Sequence, residues 1–275
     1  MLGINQLRPA QFSIPQRQNL RPYPQYNGVS FLANDGNSLY NSLQLSLERR
    51  YRAGFQFLFA YTFSKVITDA DGPARTNAVS IQDVYNLRNE RGIAGYDVPH
   101  RVVASFLYDL PFGKRGRFAK SIPVLNYAID GWQLSGIVEF QKGLPLSINN
   151  PSNQLGGFTA VQRPNQIAAA GLPRGDRTLD RWFNTSAFTA ANALQFGTAP
   201  RFPLYRPGIN NWDLSLMRNF QVAERLRLQF RGAFYNALNH GQYGAPGNTL
   251  NTTTFGRISS GRDARITEVA LRIFF

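Results

Sequence analysis

The stretch FQFLFAYTFSK sets Phe55, Phe57, Phe59, Tyr61 and Phe63 at every second position. A period of two places alternate side chains on opposite faces of a strand, so five aromatic rings share one face. In a sheet surrounded by water such a stripe is an aggregation hazard unless wholly covered. On a membrane-spanning barrel it is the lipid face, with tyrosine near the interface. The strand must therefore be buried in a protein core or in a bilayer, and the rest of the chain decides which.

The same alternation recurs. In LYNSLQLSLERRY, Leu43, Leu45 and Leu47 oppose Gln44, Ser46 and Glu48; in HRVVASFLYDLP, Val102, Ala104, Phe106 and Tyr108 share a parity. DGWQLSGIVEFQKGLPLSI keeps Trp132, Leu134, Val138, Phe140, Leu144, Leu146 and Ile148 in register across Gly143, which predicts one long strand over residues 130–148. Trp212, Leu214, Leu216 and Phe220 alternate in NNWDLSLMRNFQV, and Leu226, Leu228, Phe230 and Phe234 oppose Arg225, Arg227, Gln229 and Arg231. The final residues, RITEVALRIFF, set Val269, Leu271, Ile273 and Phe275 against Glu268, Ala270 and Arg272. Val29, Phe31 and Ala33 precede Asn34, Asp35, Gly36 and Asn37, residues that accept positive φ and favour a hairpin. About eight strands are expected.

Their connections alternate in length. Turns at 51–54 and 223–224 are minimal and that at 112–129 is moderate, whereas 67–98, 149–210 and 239–263 are long; only the turn at 34–37 breaks the rule. Short turns on one rim and long loops on the other is the asymmetry of outer membrane barrels, whose short rim is periplasmic. Aromatics near strand ends (Tyr40, Tyr51, Tyr61, Tyr108, Trp132, Trp212) fit the interfacial girdles of such barrels. The expected fold is an all-β, antiparallel, up-and-down transmembrane β-barrel of about eight strands, part of a larger barrel. Residues 1–25, with Pro9, Pro15, Pro22 and Pro24, read as a Pro-rich linker or loop ahead of a barrel segment at 26–275.

Composition narrows the class. No run approaches the ~18 apolar residues of a membrane-spanning helix, so a bilayer partner implies a closed barrel. The 30 Lys and Arg against 16 Asp and Glu call for an anionic partner, and the absence of cysteine excludes disulfides and thiolate metal sites. Nucleic acid is not that partner, because the aromatics share the apolar face while Arg and Lys occupy the opposite face or the loops. The group Arg163, Arg174, Arg177, Arg181, Arg201 and Arg206 in the longest loop is a candidate contact for lipopolysaccharide phosphate or another anionic ligand, or else a solvated loop face. Further basic groups are Arg49, Arg50 and Arg52, and Lys114, Arg115, Arg117 and Lys120, both on the short rim.

Catalytic and metal chemistry finds little support. His100 and His240, the only histidines, lack paired-ligand spacing, so no zinc site is expected. Asp97, His100 and Asp109 form an imaginable rim cluster without a nucleophile beside them. Asp69, Asp71, Asp83 and Glu90 do not match a calcium loop. The reading is no enzyme, no cofactor and no metal.

Taken in order, YNSLQLSLERRYRAGFQFLFAYTFSK, YDVPHRVVASFLYDLPFGKRGR, GWQLSGIVEFQKGLPLSI, RWFNTSAF, RPGINNWDLSLMRNF, RLRLQFRGAFYNALNH and the terminal LRIFF resemble the C-terminal barrel portion of Oar-like TonB-dependent receptors of Gram-negative bacteria. The resemblance implies a plugged barrel of 22 strands, an outer membrane location, and uptake or export of a bulky ligand driven by the TonB complex through an N-terminal region. The sequence shows neither plug nor TonB box, and MLGINQLRPAQ lacks the regions of a secretory signal, so the expectation is the tail of a larger receptor. The expected partners are outer membrane lipid and lipopolysaccharide, the TonB complex, a transported ligand, and the barrel assembly machinery reading Val269, Leu271, Ile273 and Phe275. The alternative is a self-contained small outer membrane barrel acting as adhesin or structural protein, whose interior would hold side chains only.

Overall fold

The computed structural model describes residues 2–3, 5–15, 17–31, 36–69, 81–112, 130–155, 161–261 and 264–275. Seven long strands dominate: β1 (Ser38–Arg52), β2 (Phe55–Thr68), β3 (His100–Asp109), β4 (Trp132–Gln141), β5 (Ile209–Ala223), β6 (Leu226–Tyr235) and β7 (Ile266–Phe274). Each pairs antiparallel with its neighbours in chain order, and the two-residue strand Gly92–Ile93, beside the end of β2, completes an eight-stranded sheet. The sheet is open. Among the described residues, β1 and β7 form its two edges and do not pair with each other.

Register assigns the faces. Leu43, Leu45 and Leu47 stand opposite Phe63, Tyr61 and Phe59, which in turn oppose His100, Val102 and Ala104. The parity continues through Phe140 and Val138 on β4 to Asn210 and Trp212 on β5, and Leu228 on β6 faces Ile273 on β7. One mainly apolar face thus runs across all seven strands. Edge-to-face ring pairs knit it across strands: Phe55 with Tyr108, Phe140 with Trp212, and Trp132 with Phe230, at centroid separations of 5.7, 5.9 and 5.8 Å. Its residues are not covered by protein at the edges, where Leu45 is 52% and Val269 69% exposed. Two cations interrupt it near the short rim: the Arg49 guanidinium lies 5.4 Å from the ring centre of Phe55 and that of Arg218 4.2 Å from the ring centre of Phe220.

The other face is polar and internally bonded. Arg101 on β3 pairs with Glu139 on β4 at 2.9 Å. Gln133 donates to Asp109 at 2.8 Å, Gln229 to Asn219 at 3.0 Å, and Arg231 to Ser215 at 3.2 Å. Such cross-strand polar pairs fit a barrel lumen. Between β1 and β2, Ala53 (φ 53°) and Gly54 (φ 77°) both adopt the positive φ that a two-residue turn matching strand twist requires.

Three expectations need correction. The strand predicted over residues 130–148 ends at Gln141, because at Gly143 an added Cβ would lie 2.0 Å from the carbonyl oxygen of Arg206 and Pro145 has no N–H to donate. The following Pro145–Leu146 pairs with Leu204–Tyr205 instead, and Leu146 and Ile148 are buried outside the sheet. Second, Ser30–Phe31 pairs with Leu2–Gly3 and forms no hairpin with β1. The side chain of Asn5 holds that segment folded back on itself by donating to the carbonyls of Tyr23 and Tyr26; Ala33, Asn34 and Asp35 lie outside the described residues. Third, Tyr40 and Tyr51 do not join the aromatic girdle. Tyr40 has the parity of Gln44, and across the β-bulge at 49–52 the Tyr51 hydroxyl reaches Asp109 beside Gln133 on the polar side.

Candidate functional site

All three long connections leave the same rim of the sheet, and above it they form a folded cap. Its apolar core joins Leu146, Ile148, Phe183, Phe188 and Leu204 from the loop after β4 with Leu250 from the loop after β6. The RWFNTSAF segment supplies the centre. Phe183, fully buried, packs edge-on against Phe255 at 5.2 Å and Phe188 at 6.1 Å, while Trp182 donates its indole N–H to the carbonyl of Tyr205 at 3.1 Å. A second cluster binds the N-terminal segment to this loop through Leu7, Phe12 and Leu155. Residues 5–15 and 17–25 hold only the short 3-10 turns Pro9–Gln11 and Arg17–Leu20, yet are anchored.

Beneath these cores lies a buried polar node. Glu90 is 0% exposed, and Arg163 grips its carboxylate with two N–H groups at 2.8 and 3.2 Å. Gln82 donates its backbone N–H to Glu90 and its side-chain amide to the carbonyl of Gly197, and accepts from the backbone N–H of Arg163 at 2.7 Å. Gln6 donates in turn to the carbonyl of Gln82 and accepts from Val84. Arg201 donates to the carbonyls of Thr68 and Glu90 at 3.3 and 3.2 Å. The node therefore ties the end of β2, two loops and the N-terminal segment together. Buried glutamines act here as substitute backbone: Gln162 likewise bridges Gln154, Asn192 and Gln195, and Gln242 clamps both backbone groups of Asn210.

A second junction links cap to sheet. Asp97, fully buried, accepts from the backbone N–H of Val66 at 2.7 Å and from the Tyr205 hydroxyl at 2.8 Å, with the Lys65 ammonium at 3.7 Å. Burial, then the hydrogen bond and charge of Asp97, push the Tyr205 phenol above its ordinary pKa.

The six arginines singled out in the longest loop do not form one cluster; two of them, Arg163 and Arg201, meet at Glu90. Arg163 and Arg201 are buried within the node. Burial lowers the pKa of Arg206, whose backbone N–H bonds the carbonyl of Leu144. Arg174, Arg177 and Arg181 lie exposed on one stretch; Arg177 donates to the carbonyl of Leu172 and lies 5.5 Å from the ring of Trp182. Arg49 covers Phe55 at the short rim, and Lys114, Arg115, Arg117 and Lys120 lie outside the described residues.

The acidic residues are likewise dispersed. Asp69 accepts from Asn37, Asp83 caps the N–H of Tyr85, and Glu90 holds Arg163; Asp71 is outside the described residues. Asp97 and His100 stand at the long rim and Asp109 at the short one, so they form no common cluster. Among the described residues no group of three His, Asp or Glu side chains converges on a metal position. The terminal Val269 and Leu271 stay exposed on the apolar face, and Ile273 pairs with Leu228.

The arrangement is an apolar-faced sheet with short turns on one rim and a folded cap on the other. Residues 1–268 match the family model of the outer membrane beta barrel domain, and the chain belongs to that family. Its place is a bacterial outer membrane. No curated protein matches it.

Proposed function

We propose that the chain is the C-terminal part of the barrel of a TonB-dependent receptor, a non-catalytic transporter that moves a bulky ligand across the outer membrane of a Gram-negative bacterium. The observation that carries this reading is the open sheet. Seven long strands form an arc with β1 and β7 at its edges, and an unpaired edge in hydrocarbon leaves backbone N–H and C=O groups unsatisfied. Further strands complete the barrel, and the cap forms part of its outer mouth. The ordered resemblance to Oar-like receptors supports the same assignment. TonB acts through a preceding region, and the barrel assembly machinery reads Val269, Leu271, Ile273 and Phe275. Arg174, Arg177 and Arg181 are the loop cations placed to meet an anionic ligand.

The test is the mass of the native polypeptide in isolated outer membranes, detected with an antibody against β6 and β7. A band several times heavier than 30.9 kDa is expected. A band near that mass, heat-modifiable in its mobility, would mean that the chain closes alone and would remove the transport assignment.

A further inference from the structure

Two lysines stand on the apolar face at the point where it meets the cap. Lys65 follows Phe63 on β2 with the same parity, and its side chain is 40% exposed. Lys142 follows Phe140 with the same parity just beyond β4, is exposed, and donates its backbone N–H to the carbonyl of His100 at 2.9 Å. Both converge on one ring: the Lys65 ammonium lies 3.3 Å from the Tyr205 hydroxyl, and that of Lys142 lies 4.4 Å from the centre of the Tyr205 ring. His100 stands beside them, 3.0 Å from the Tyr61 hydroxyl and stacked on the Tyr61 ring. Immediately toward the sheet centre come Phe63, Phe140 and Trp212.

We infer that Lys65 and Lys142, set on Tyr205, form a docking site for the phosphate of an outer-leaflet lipid headgroup. The geometry matches the layering of the membrane. Aromatic side chains mark the boundary of the hydrocarbon, and the cations stand two residues beyond them, at the next position on the same face, at headgroup height and on the side that lipid contacts. The charge balance favours an anion. Two ammonium groups face a single carboxylate, Asp97, which is fully buried, accepts from the N–H of Val66 and the hydroxyl of Tyr205, and lies 3.7 Å from the Lys65 ammonium. An ammonium carries three donors; with one on the Tyr205 hydroxyl and one toward Asp97, Lys65 retains a donor toward its exposed side. The loop arginines lie farther along the cap, and two of them are buried in the polar node. This site rests on the apolar face meeting lipid and not on TonB coupling.

The full chain purified in detergent micelles is titrated with bisphosphorylated lipid A, with the same lipid after phosphate removal, and with inorganic phosphate. Binding is expected for the phosphorylated lipid. K65Q and K142Q should each weaken it about fivefold, the contribution of one cation near an anionic lipid surface, and leave the dephosphorylated lipid unaffected. K142Q touches only a ring, so its result stands even if K65Q disturbs Asp97; an unchanged circular dichroism spectrum and protease-resistance pattern show that each variant is folded. The R174Q/R177Q pair should bind as wild type. Wild-type affinity in both lysine variants, equal losses for both lipids, or comparable binding of inorganic phosphate would overturn the site. A wild-type chain that stays in the aqueous phase would instead overturn the barrel reading beneath it.

Discussion

The sheet and the cap bury apolar side chains by opposite rules. In the sheet, period-two alternation directs most of the aromatics to one face, and the protein leaves that face open: Leu45 and Val269 are more than half exposed. In the cap there is no period at all, yet Phe183 is 0% exposed and Phe12 1%. The sheet borrows its solvent for packing, whereas the cap makes its own interior. Polar groups follow suit. On the lumen face they pair across strands at the surface, while in the cap Glu90, Gln82 and Arg163 are buried and bonded to one another.

Substitutions that affect one region and spare the other separate the two rules. The largest effect is expected in the node. Glu90→Gln leaves the Arg163 guanidinium buried without its counter-charge, a loss of about 3–5 kcal/mol in typical buried pairs. Hydrogen exchange should rise in residues 81–99 and 161–204 while β5 to β7 stay protected. Protection lost throughout would show that cap and sheet fold as one unit. Next comes Leu45→Arg at the middle of β1, which should cost about 2–4 kcal/mol if the side chain faces the bilayer midplane. Its neighbour Gln44→Arg, on the lumen face, should fall within about 0.5 kcal/mol of wild type; equal effects in refolding titrations would break the facial assignment.

Smaller is Gly197→Ala. The new methyl would lie 1.8 Å from the carbonyl oxygen of Arg163, so the backbone must move, at about 1–3 kcal/mol for overpacking. Faster proteolysis of the cap with intact strands is the expected readout. Last is Tyr205→Phe, which removes one hydrogen bond to the Asp97 carboxylate and should cost about 1.5 kcal/mol, the low end for a bond to a charged group. Because the folded phenol has its pKa raised, its contribution is complete below the unfolded tyrosine value of ~10 and is lost as pH rises through the folded value. Wild-type cap protection should therefore decline in strong alkali more steeply than that of Tyr205→Phe.

The sheet was legible because its pattern is redundant. Each strand repeats the same parity, and register then places Gln44, Gln133, Glu139 and Arg231 on one face as alternation alone implies. Loop lengths gave the rims in the same way. Where periodicity ran past a strand, it misled: Leu144, Leu146 and Ile148 continue the parity of β4, but the close backbone approach at Gly143 turns the chain into the cap. The cap itself was not legible. Its core is drawn from residues far apart in sequence, such as Leu146, Phe183 and Leu250, with no repeat to join them. The pairing of Glu90 with Arg163 spans 73 positions. Buried glutamines gave no signal, since Gln82 and Gln162 are of a residue type usually found at the surface. A local hint did exist in RWFNTSAF, three large aromatics within a stretch otherwise read as loop.

The chain lacks cysteine, so single cysteines can carry a nitroxide at successive positions of β1 and β7. Collision with oxygen, which concentrates in lipid, and with a water-soluble nickel chelate is then measured by spin resonance for residues 43–48 and 268–273 in the reconstituted protein. The account predicts strict alternation: oxygen access at Leu43, Leu45, Leu47, Val269, Leu271 and Ile273, and chelate access at Gln44, Ser46, Glu48, Glu268, Ala270 and Arg272. Alternation with the opposite phase, or none, would contradict the claim that this face meets lipid.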